Sequence, residues 1–363
     1  MDFKRLAMEI VKIAGKYRYI LIYIKGSPDP DAIAASYALK LILEHYGTKA
    51  DIESPVFPSL PQNVKMVKDL HLPVHFGTTG NHMNRYDAYA VLDHQSAVVE
   101  GVTGVIPCAF HIDHHEPVED HIPVDMPVRS RDAGSASTIM AFILEELAAE
   151  LNFNKKIRMR AATALYYGIQ TDTDNFKHCE DLDEQAVDII SPECDKRLLR
   201  DLSAIPFSKE FMDFFNRALE GRIIYKDWLI SGIGFIDEKH RDVLSIIGDF
   251  LLKREEISTA VVFSIVEKKK GLTLDVSFRT KAEDFNLNEL IKRITSEGGG
   301  RKFKGAYQVN LDYFIHCTDR DLLWQAVSTT TIEVLKSQRD THGFDGIKNY
   351  FRRLGGKFLN LFR

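Results

Sequence analysis

The segment YRYILIYIKGSPDPDAIAASYALKLIL, residues 17–43, decides the fold of this chain. It begins with an apolar run over residues 19–24, rich in β-branched and aromatic side chains, which predicts a buried strand. Small and apolar side chains at helical spacing then predict a helix over residues 32–43. Asp29 and Asp31 lie in the tight turn between the two elements. In open α/β sheets, the carboxyl end of a strand is where ligands bind.

An aspartate directly before a helix also has an ordinary structural explanation. Its side chain caps the free amides of the first turn and complements the helix dipole. One cap is enough for one helix, however, and here two carboxylates, Asp29 and Asp31, flank Pro30. Whether these carboxylates cap the helix or bind a ligand depends on the residues that the rest of the chain brings beside them.

The length and composition are those of an ordinary globular protein. Its 363 residues suffice for two domains with separate cores, and 45% hydrophobic with 27% charged residues is ordinary for such a protein. A net charge of -5 excludes a globally basic nucleic-acid binder. The four cysteines are far apart and the N-terminal segment is an amphipathic helix with acids, so we expect a cytoplasmic protein without disulfides or a signal peptide. No apolar run is long enough to span a membrane.

Acidic and imidazole side chains recur where later elements end. Apolar residues 86–92 and 104–112 predict two more buried strands, and helical residues 157–169 lead to a further aspartate. Alternating strands and helices predict a mostly parallel sheet, whose carboxyl ends lie on one edge. The side chains expected to meet Asp29 and Asp31 there are Asp93, Asp113, His114, His115 and Asp172.

Several ionised carboxylates in one place require a compensating cation. Oxygen ligands with one or two imidazoles suit Mn²⁺ or Mg²⁺ better than zinc, and one or two such ions at this edge predict a phosphoester hydrolase. A helix predicted over residues 133–151 begins with small hydroxyl residues, and its N-terminal amides can receive a phosphate.

These residues resemble the motifs of the DHH phosphoesterase superfamily. Residues 25–36, KGSPDPDAIAAS, are similar to its first motif, HxxPDxDAxGS, and Asp93 is similar to its strand-end aspartate. The DHH triplet stands at residues 113–115, and residues 168–176, GIQTDTDNF, are similar to GIxTDTGxF. In the second half, SFRT at residues 277–280 resembles the SxRS strand of the DHH-associated C-terminal domain, and Gly298, Gly299 and Gly300 resemble its glycine loop.

The resemblance implies a two-lobed α/β hydrolase for short oligonucleotides or small nucleotides, related to nanoRNases, in which a hydroxide held by two metals attacks phosphorus in line. It assigns Asp29 to the first metal and Asp31, His114 and Asp172 to the second, with Asp93 bridging. It assigns substrate contacts to His115, Arg279, Gly298, Gly299, Gly300 and Arg301. The expected divisions are a metal-binding domain at 1–190, a helical linker at 191–221, a smaller α/β substrate domain at 222–317 and a helical basic tail at 318–363.

Three positions depart from the family pattern. The motif-one histidine is Lys25, the motif-four glycine is Asp174, and the histidine after the glycine loop is Arg301. An ammonium has no lone pair for a metal, so either the first site is weak or vacant, or the charge of Lys25 replaces a cation. Arginine still suits a phosphate.

Two questions about partners and activity stay open at this stage. The basic, apolar tail either docks on its own domain or a second copy of the chain, which we favour, or contacts nucleic acid or an anionic membrane. Besides a hydrolase, the sequence allows a nucleotide-binding protein that lost its first metal site, and, less favoured, a pyrophosphatase relative.

Overall fold

The structure, a computed structural model, describes residues 1–58, 60–78, 83–115, 121–204, 207–269, 271–283, 286–295, 298–300 and 303–359, and for residues 341–359 it describes the backbone alone. The chain forms two compact units, Met1–Pro206 and Phe207–Arg363. Each has its own sheet and its own hydrophobic core. Within the described part of the chain, no helix is long and apolar enough to cross a bilayer.

The first unit is built on a six-stranded sheet in which every pair of neighbouring strands is parallel. Its strands are β1 (Tyr19–Tyr23), β2 (Lys49–Ser54), β3 (Val74–Phe76), β4 (Ala88–Leu92), β5 (Cys108–Asp113) and β6 (Val124–Arg129). Its helices are α1 (Phe3–Ala14), α2 (Pro30–His45), α3 (Pro61–Asp69), α4 (Ala136–Glu146), α5 (Ala148–Leu151), α6 (Lys155–Asp172), α7 (Asp181–Ile190) and α8 (Lys196–Ser203). The predicted α/β class with a parallel first sheet is confirmed.

The strand order β3-β2-β1-β4-β5-β6 reverses direction at one place. From β1 the chain continues outward on one side through β2 and β3, and it returns to the other side of β1 as β4. In doubly wound sheets, the crevice outside the carboxyl ends of the strands at such a reversal is the usual ligand site. The turn after β1 and the residue after β4 both lie at this crevice.

Small side chains allow α2 and α6 to lie close together behind that turn. A Cβ atom on Gly168 of α6 would lie 3.1 Å from the Cα of Asp31 and 2.3 Å from the Oγ of Ser137. The second distance is shorter than real Cβ contacts show, and the first is tighter than nine in ten of them, so glycine fits this position best. The close contact fixes the first turn of α2 against α4 and α6.

Several predicted bounds in the first unit change. The strand predicted over residues 104–112 begins only at Cys108. It also extends one residue further than predicted, and Asp113 is its last residue. The predicted helix over residues 133–151 is two helices, α4 and α5, and α4 begins after its cap Ser135. Residues 196–203, assigned to the linker, form α8, whose leucines join the core of the first unit.

The second unit has a six-stranded mixed sheet in the order β11-β12-β10-β9-β8-β7, in which only β8 and β9 are parallel. Its strands are β7 (Arg222–Tyr225), β8 (Trp228–Asp237), β9 (Thr259–Lys268), β10 (Gly271–Thr280), β11 (Gly298–Gly300) and β12 (Lys304–Asn310). Its helices are α9 (Lys209–Glu220), α10 (Val243–Leu251), α11 (Leu287–Ile294) and α12 (Arg320–Leu359).

The glycine run differs from the expected loop at the end of a helix. Helix α11 ends at Ile294, and the three glycines form the edge strand β11, paired with β12. A Cβ on Gly298 would lie 2.8 Å from the carbonyl oxygen of Ala306, and one on Gly300 would lie 2.9 Å from that of Lys304. Gly298 and Gly300 are therefore explained by the close packing of two strands.

Candidate metal centre

Four of the expected side chains meet at the carboxyl edge of the first sheet. Asp31, Asp93, His114 and Asp172 each offer one ligand atom, and these atoms all lie within 4.8 Å of one another. They come from the first turn of α2, the residue after β4, the residue after β5 and the last residue of α6. Four separate elements thus converge on one buried point.

His114 is the centre of this group. Its Nε2 atom lies 2.9 Å from Asp172 Oδ2 and 3.2 Å from Asp93 Oδ1. Its Nδ1 atom lies 3.3 Å from the carbonyl oxygen of Ala133. A carbonyl can only accept, so a proton on Nδ1 completes this hydrogen bond, and Nε2 is the ring nitrogen that faces the carboxylates and could ligate a metal.

Asp31 is held by a helix other than its own. Its carboxylate is 1% exposed and accepts hydrogen bonds from the backbone N–H groups of Ala136 and Ser137, each at 2.7 Å. These groups form the N-terminus of α4, whose dipole favours a negative charge. The amides that were expected to receive a phosphate are therefore already occupied, and that prediction is wrong.

The charge of Asp31 is strongly opposed by its surroundings. Burial, and then the neighbouring Asp93 and Asp172, raise the pKa of Asp31 well above its usual value, while His114 acts in the opposite direction. Like charges that share a buried site cannot all ionise without compensation. A divalent cation among the carboxylates would supply that compensation.

Asp93 occupies an unusual backbone conformation. Strand β4 ends at Leu92, and Asp93 has a φ of 54°, in the left-handed region that few residues other than glycine, asparagine and aspartate adopt. Its own N–H donates to the carbonyl oxygen of Ile112 at 2.9 Å, which ties the turn to β5. Its side chain, 4% exposed, consequently points into the cluster beside His114.

His115 and Asp113 form a pair at the margin of the cluster. His115 Nδ1 lies 2.7 Å from Asp113 Oδ1 and 3.7 Å from Asp93 Oδ1. Burial raises the pKa of Asp113, but the hydrogen bond from His115 and the charge of both histidines outweigh it and lower that pKa to about 2. Asp113 therefore stays ionised and orients the ring of His115, and Asp93, His114 and His115 form a second possible ligand group.

The donor set fits a hard divalent cation. Three carboxylates and one imidazole are the ligand types that Mn²⁺ and Mg²⁺ accept, whereas cysteine, the soft ligand of many zinc sites, is absent from both described groups. The proton on His114 Nδ1 gives the imidazole the tautomer that a ligand bound through Nε2 needs.

Other expected residues lie outside these two groups. Asp29 caps α2 by accepting the N–H of Ala32 at 2.9 Å, which is the ordinary interpretation of that residue. Lys25 donates from Nζ to the carbonyl oxygens of Ser96, at 2.9 Å, and Val98. Asp174 Oδ2 lies 3.6 Å from His178 Nε2.

Apart from His115, the residues expected to bind substrate lie in the second unit. Arg279 Nε donates to Asp249 Oδ1 at 2.7 Å, and its Nη1 lies 3.3 Å from Ser277 Oγ. Gly298, Gly299 and Gly300 form β11, and Arg301 lies outside the described residues.

Sequence reasoning missed the buried Asp183 and the segment that it holds, residues 133–138, which leads into the first turn of α4. Gly134 donates its N–H to both oxygens of Asp183, at 2.8 and 3.1 Å. Asp183 is one of several acids around residue 181 in a polar segment, and nothing in that pattern distinguishes it from a solvated residue.

The chain is similar in sequence to one family and to one relative. Residues 19–169 match the DHH family, N-terminal domain. The chain is 31% identical over 323 residues to an uncharacterized protein of Methanocaldococcus jannaschii, with 87% of this chain aligned, and it spans 64% of that relative's length.

A solved structure shares the fold. An exopolyphosphatase-related protein from Bacteroides fragilis superposes with a TM-score of 0.67 at 16% identity, covering 92% of this chain and 96% of that one. A putative family II inorganic pyrophosphatase from Methanococcus jannaschii, at 17% identity, covers 81% of this chain and 93% of its own, but its TM-score is only 0.38.

Proposed function

Starting from the DHH family N-terminal domain that residues 19–169 form, we propose that this chain is a metal-dependent phosphoesterase. One observation carries the proposal, namely the convergence of Asp31, Asp93, His114 and Asp172 within 4.8 Å at the point where the strand order reverses. Three of these four residues belong to the family match, and Asp172 follows it by three positions.

The cluster would hold Mn²⁺ or Mg²⁺. When bound, such an ion neutralises the carboxylates and acts as a Lewis acid toward phosphoryl oxygens. Asp31 is oriented for this by the α4 amides, and His114 by the Ala133 carbonyl oxygen. His115, whose ring Asp113 orients, would contact the scissile phosphate and hold a proton there.

Lys25 favours one cation over two. Its ammonium is bound to carbonyl oxygens of residues 96 and 98, in the segment that follows Asp93. Asp29, the other residue implied for a first metal, is absent from both described ligand groups and caps α2. We propose that the positive charge of Lys25 takes the place of a second ion.

For the substrate we propose a short oligonucleotide or a small nucleotide. Support comes from Arg279, which keeps the position of the arginine in the SxRS motif and is anchored through Nε by Asp249. Its Nη1 also donates to the carbonyl oxygen of Phe278 at 2.9 Å, and a guanidinium fixed in this way is suited to donate to a phosphate from its remaining N–H groups. The role of the glycine strand and of Arg301 in substrate binding is part of the same proposal.

The test is a hydrolysis assay of the purified chain with Mn²⁺ or Mg²⁺. The substrates are a linear dinucleotide, a short oligoribonucleotide, 3′-phosphoadenosine 5′-phosphate, pyrophosphate and polyphosphate. We expect metal-dependent release of a mononucleotide or phosphate from one of the first three, and its loss in H114A. Hydrolysis of pyrophosphate or polyphosphate alone would contradict the substrate class.

The second candidate is a nucleotide-binding protein without catalysis. It is favoured by Lys25, whose ammonium has no lone pair for the first metal of the family pattern. In that case, equilibrium binding of the same nucleotides would be measurable while no substrate in the panel is cleaved with either metal. Binding and turnover are therefore measured on the same samples.

A further inference from the structure

Asp183 is a buried carboxylate outside the metal cluster. It lies in the first turn of α7, is 0% exposed, and belongs to neither ligand group among the described residues. It accepts hydrogen bonds from the N–H of Gly134 (2.8 Å), the hydroxyl of Thr138 (2.5 Å) and the N–H of Glu180 (2.9 Å). Full burial of a charge is costly unless several donors satisfy it.

A helix cap explains only part of this arrangement. With Glu180, Asp183 forms a capping box at the start of α7, and of the carboxylate of Asp183 this box uses only the hydrogen bond from the Glu180 N–H. The other donors, Gly134 and Thr138, belong to the segment between β6 and α4 and to α4 itself. Asp183 thus joins α7 to a different part of the chain.

Gly134 is shaped to receive that carboxylate. A Cβ atom at this position would lie 2.4 Å from Asp183 Oδ2, which is closer than any side chain permits. Its φ angle is not positive, so close approach rather than backbone conformation accounts for the glycine.

The segment that Asp183 holds, residues 133–138, supplies the backbone groups that orient two cluster residues. Its Ala133 carbonyl oxygen lies 3.3 Å from His114 Nδ1. Its N–H groups at residues 136 and 137 bind the two oxygens of Asp31, each at 2.7 Å. Gly134 and Thr138, the two residues that bind Asp183, lie on either side of these N–H groups.

We propose that Asp183 is a positioning residue for the metal centre, which acts through residues 133–138 and touches neither metal nor substrate. The proposal rests on the proposed function only in taking the cluster of Asp31 and His114 to be a cation site. The partners that orient metal ligands commonly change metal affinity by about 10–100-fold when they are altered.

The experiment is calorimetric titration with Mn²⁺ of the wild type, D183N, T138V and D195A, at a temperature where circular dichroism shows all four folded. D183N keeps the size of the side chain but places an amide N–H₂ against backbone donors. T138V removes one donor and keeps its volume, and it replaces D183N if that variant does not fold. Asp195 caps α8 by accepting the N–H of Leu198 at 3.0 Å, so D195A is a control for stability loss elsewhere in the unit.

We expect Mn²⁺ affinity to fall about 10–100-fold in D183N, to fall less in T138V, and to stay within about twofold of wild type in D195A. Unchanged affinity in both D183N and T138V, with only reduced stability, would show that Asp183 is purely structural. Wild-type protein that binds Mn²⁺ but cleaves no phosphoester would refute the proposed function and leave this inference intact. Wild-type protein that binds no metal would refute both.

Discussion

Asp29 and Asp31 are separated by one proline, yet their carboxylates accept hydrogen bonds from different helices. Asp29 caps α2, its own helix, whereas Asp31 accepts two N–H groups of α4 and faces the cluster. The sequence presents two similar acids, and only the packing of α4 against α2 separates their roles. The same holds at residues 113–115, where Asp113 orients His115 and His114 joins the cluster.

At the residue scale we expect Asp93 to be indispensable. D93N removes one of the cluster's negative charges and should lower kcat/KM for metal-dependent hydrolysis by about 100-fold or more. Asp174 provides the matched control. Like Asp93, it is an aspartate in a left-handed backbone conformation that asparagine tolerates, and it lies outside both ligand groups. D174N should retain activity within a few-fold, and equal losses in the two variants would argue against the assigned ligands.

At the scale of elements, the close approach of α6 to α2 fixes the first turn of the cluster. G168A would place a methyl group against Ser137 and the backbone of Asp31, and we expect it to lower the free energy of unfolding by about 1–3 kcal/mol. In G15A, at the end of α1, the atom closest to the new Cβ would be the carbonyl oxygen of Lys12 at 3.7 Å, an ordinary contact. This variant should lower the free energy of unfolding by less than about 0.5 kcal/mol. Urea denaturation of both variants measures the difference, and equal stabilities would show that the helices can separate without cost.

The sequence predicts those elements whose side chains are uniformly apolar. Strands β1 and β4 and helix α2 begin and end within two residues of their predicted bounds. Strand β2 was missed because Asp51 and Glu53 interrupt its pattern, and both acids are buried or half-buried beside Arg85. Strand β6 carries Pro127, which is tolerated because β6 is at the edge of the sheet.

In the candidate site, too, some residues could be predicted from the sequence and others could not. Cluster residues at the ends of apolar elements could be predicted, because parallel strands bring their carboxyl ends together. Asp183 could not, since its importance arises from a hydrogen bond to Gly134, 49 residues away in the chain. A contact of that kind exists only after α7 has packed against the segment before α4.

At the scale of the whole molecule, the four cluster residues lie in the first unit and Arg279 lies in the second. If the second unit binds substrate, R279A should raise KM for a nucleotide about 10-fold or more, since a charged hydrogen-bond donor is lost. Mn²⁺ affinity should stay unchanged. R254A is the control, because Arg254 is an exposed arginine of the same unit with a distant ion-pair partner, Glu256, at 3.6 Å. Loss of metal affinity in R279A would contradict this division of roles.

The most direct test of the account is a count of the divalent cations that the wild-type chain binds. Isothermal titration with Mn²⁺ should show one tight ion per chain, because the described residues contain one four-residue ligand group, which does not include Asp29, and the ammonium of Lys25 has no lone pair for a metal. In the same titration, D172N should bind Mn²⁺ with an affinity about 100-fold lower than that of the wild type. Two tight ions, or one ion whose affinity does not depend on Asp172, would contradict the account.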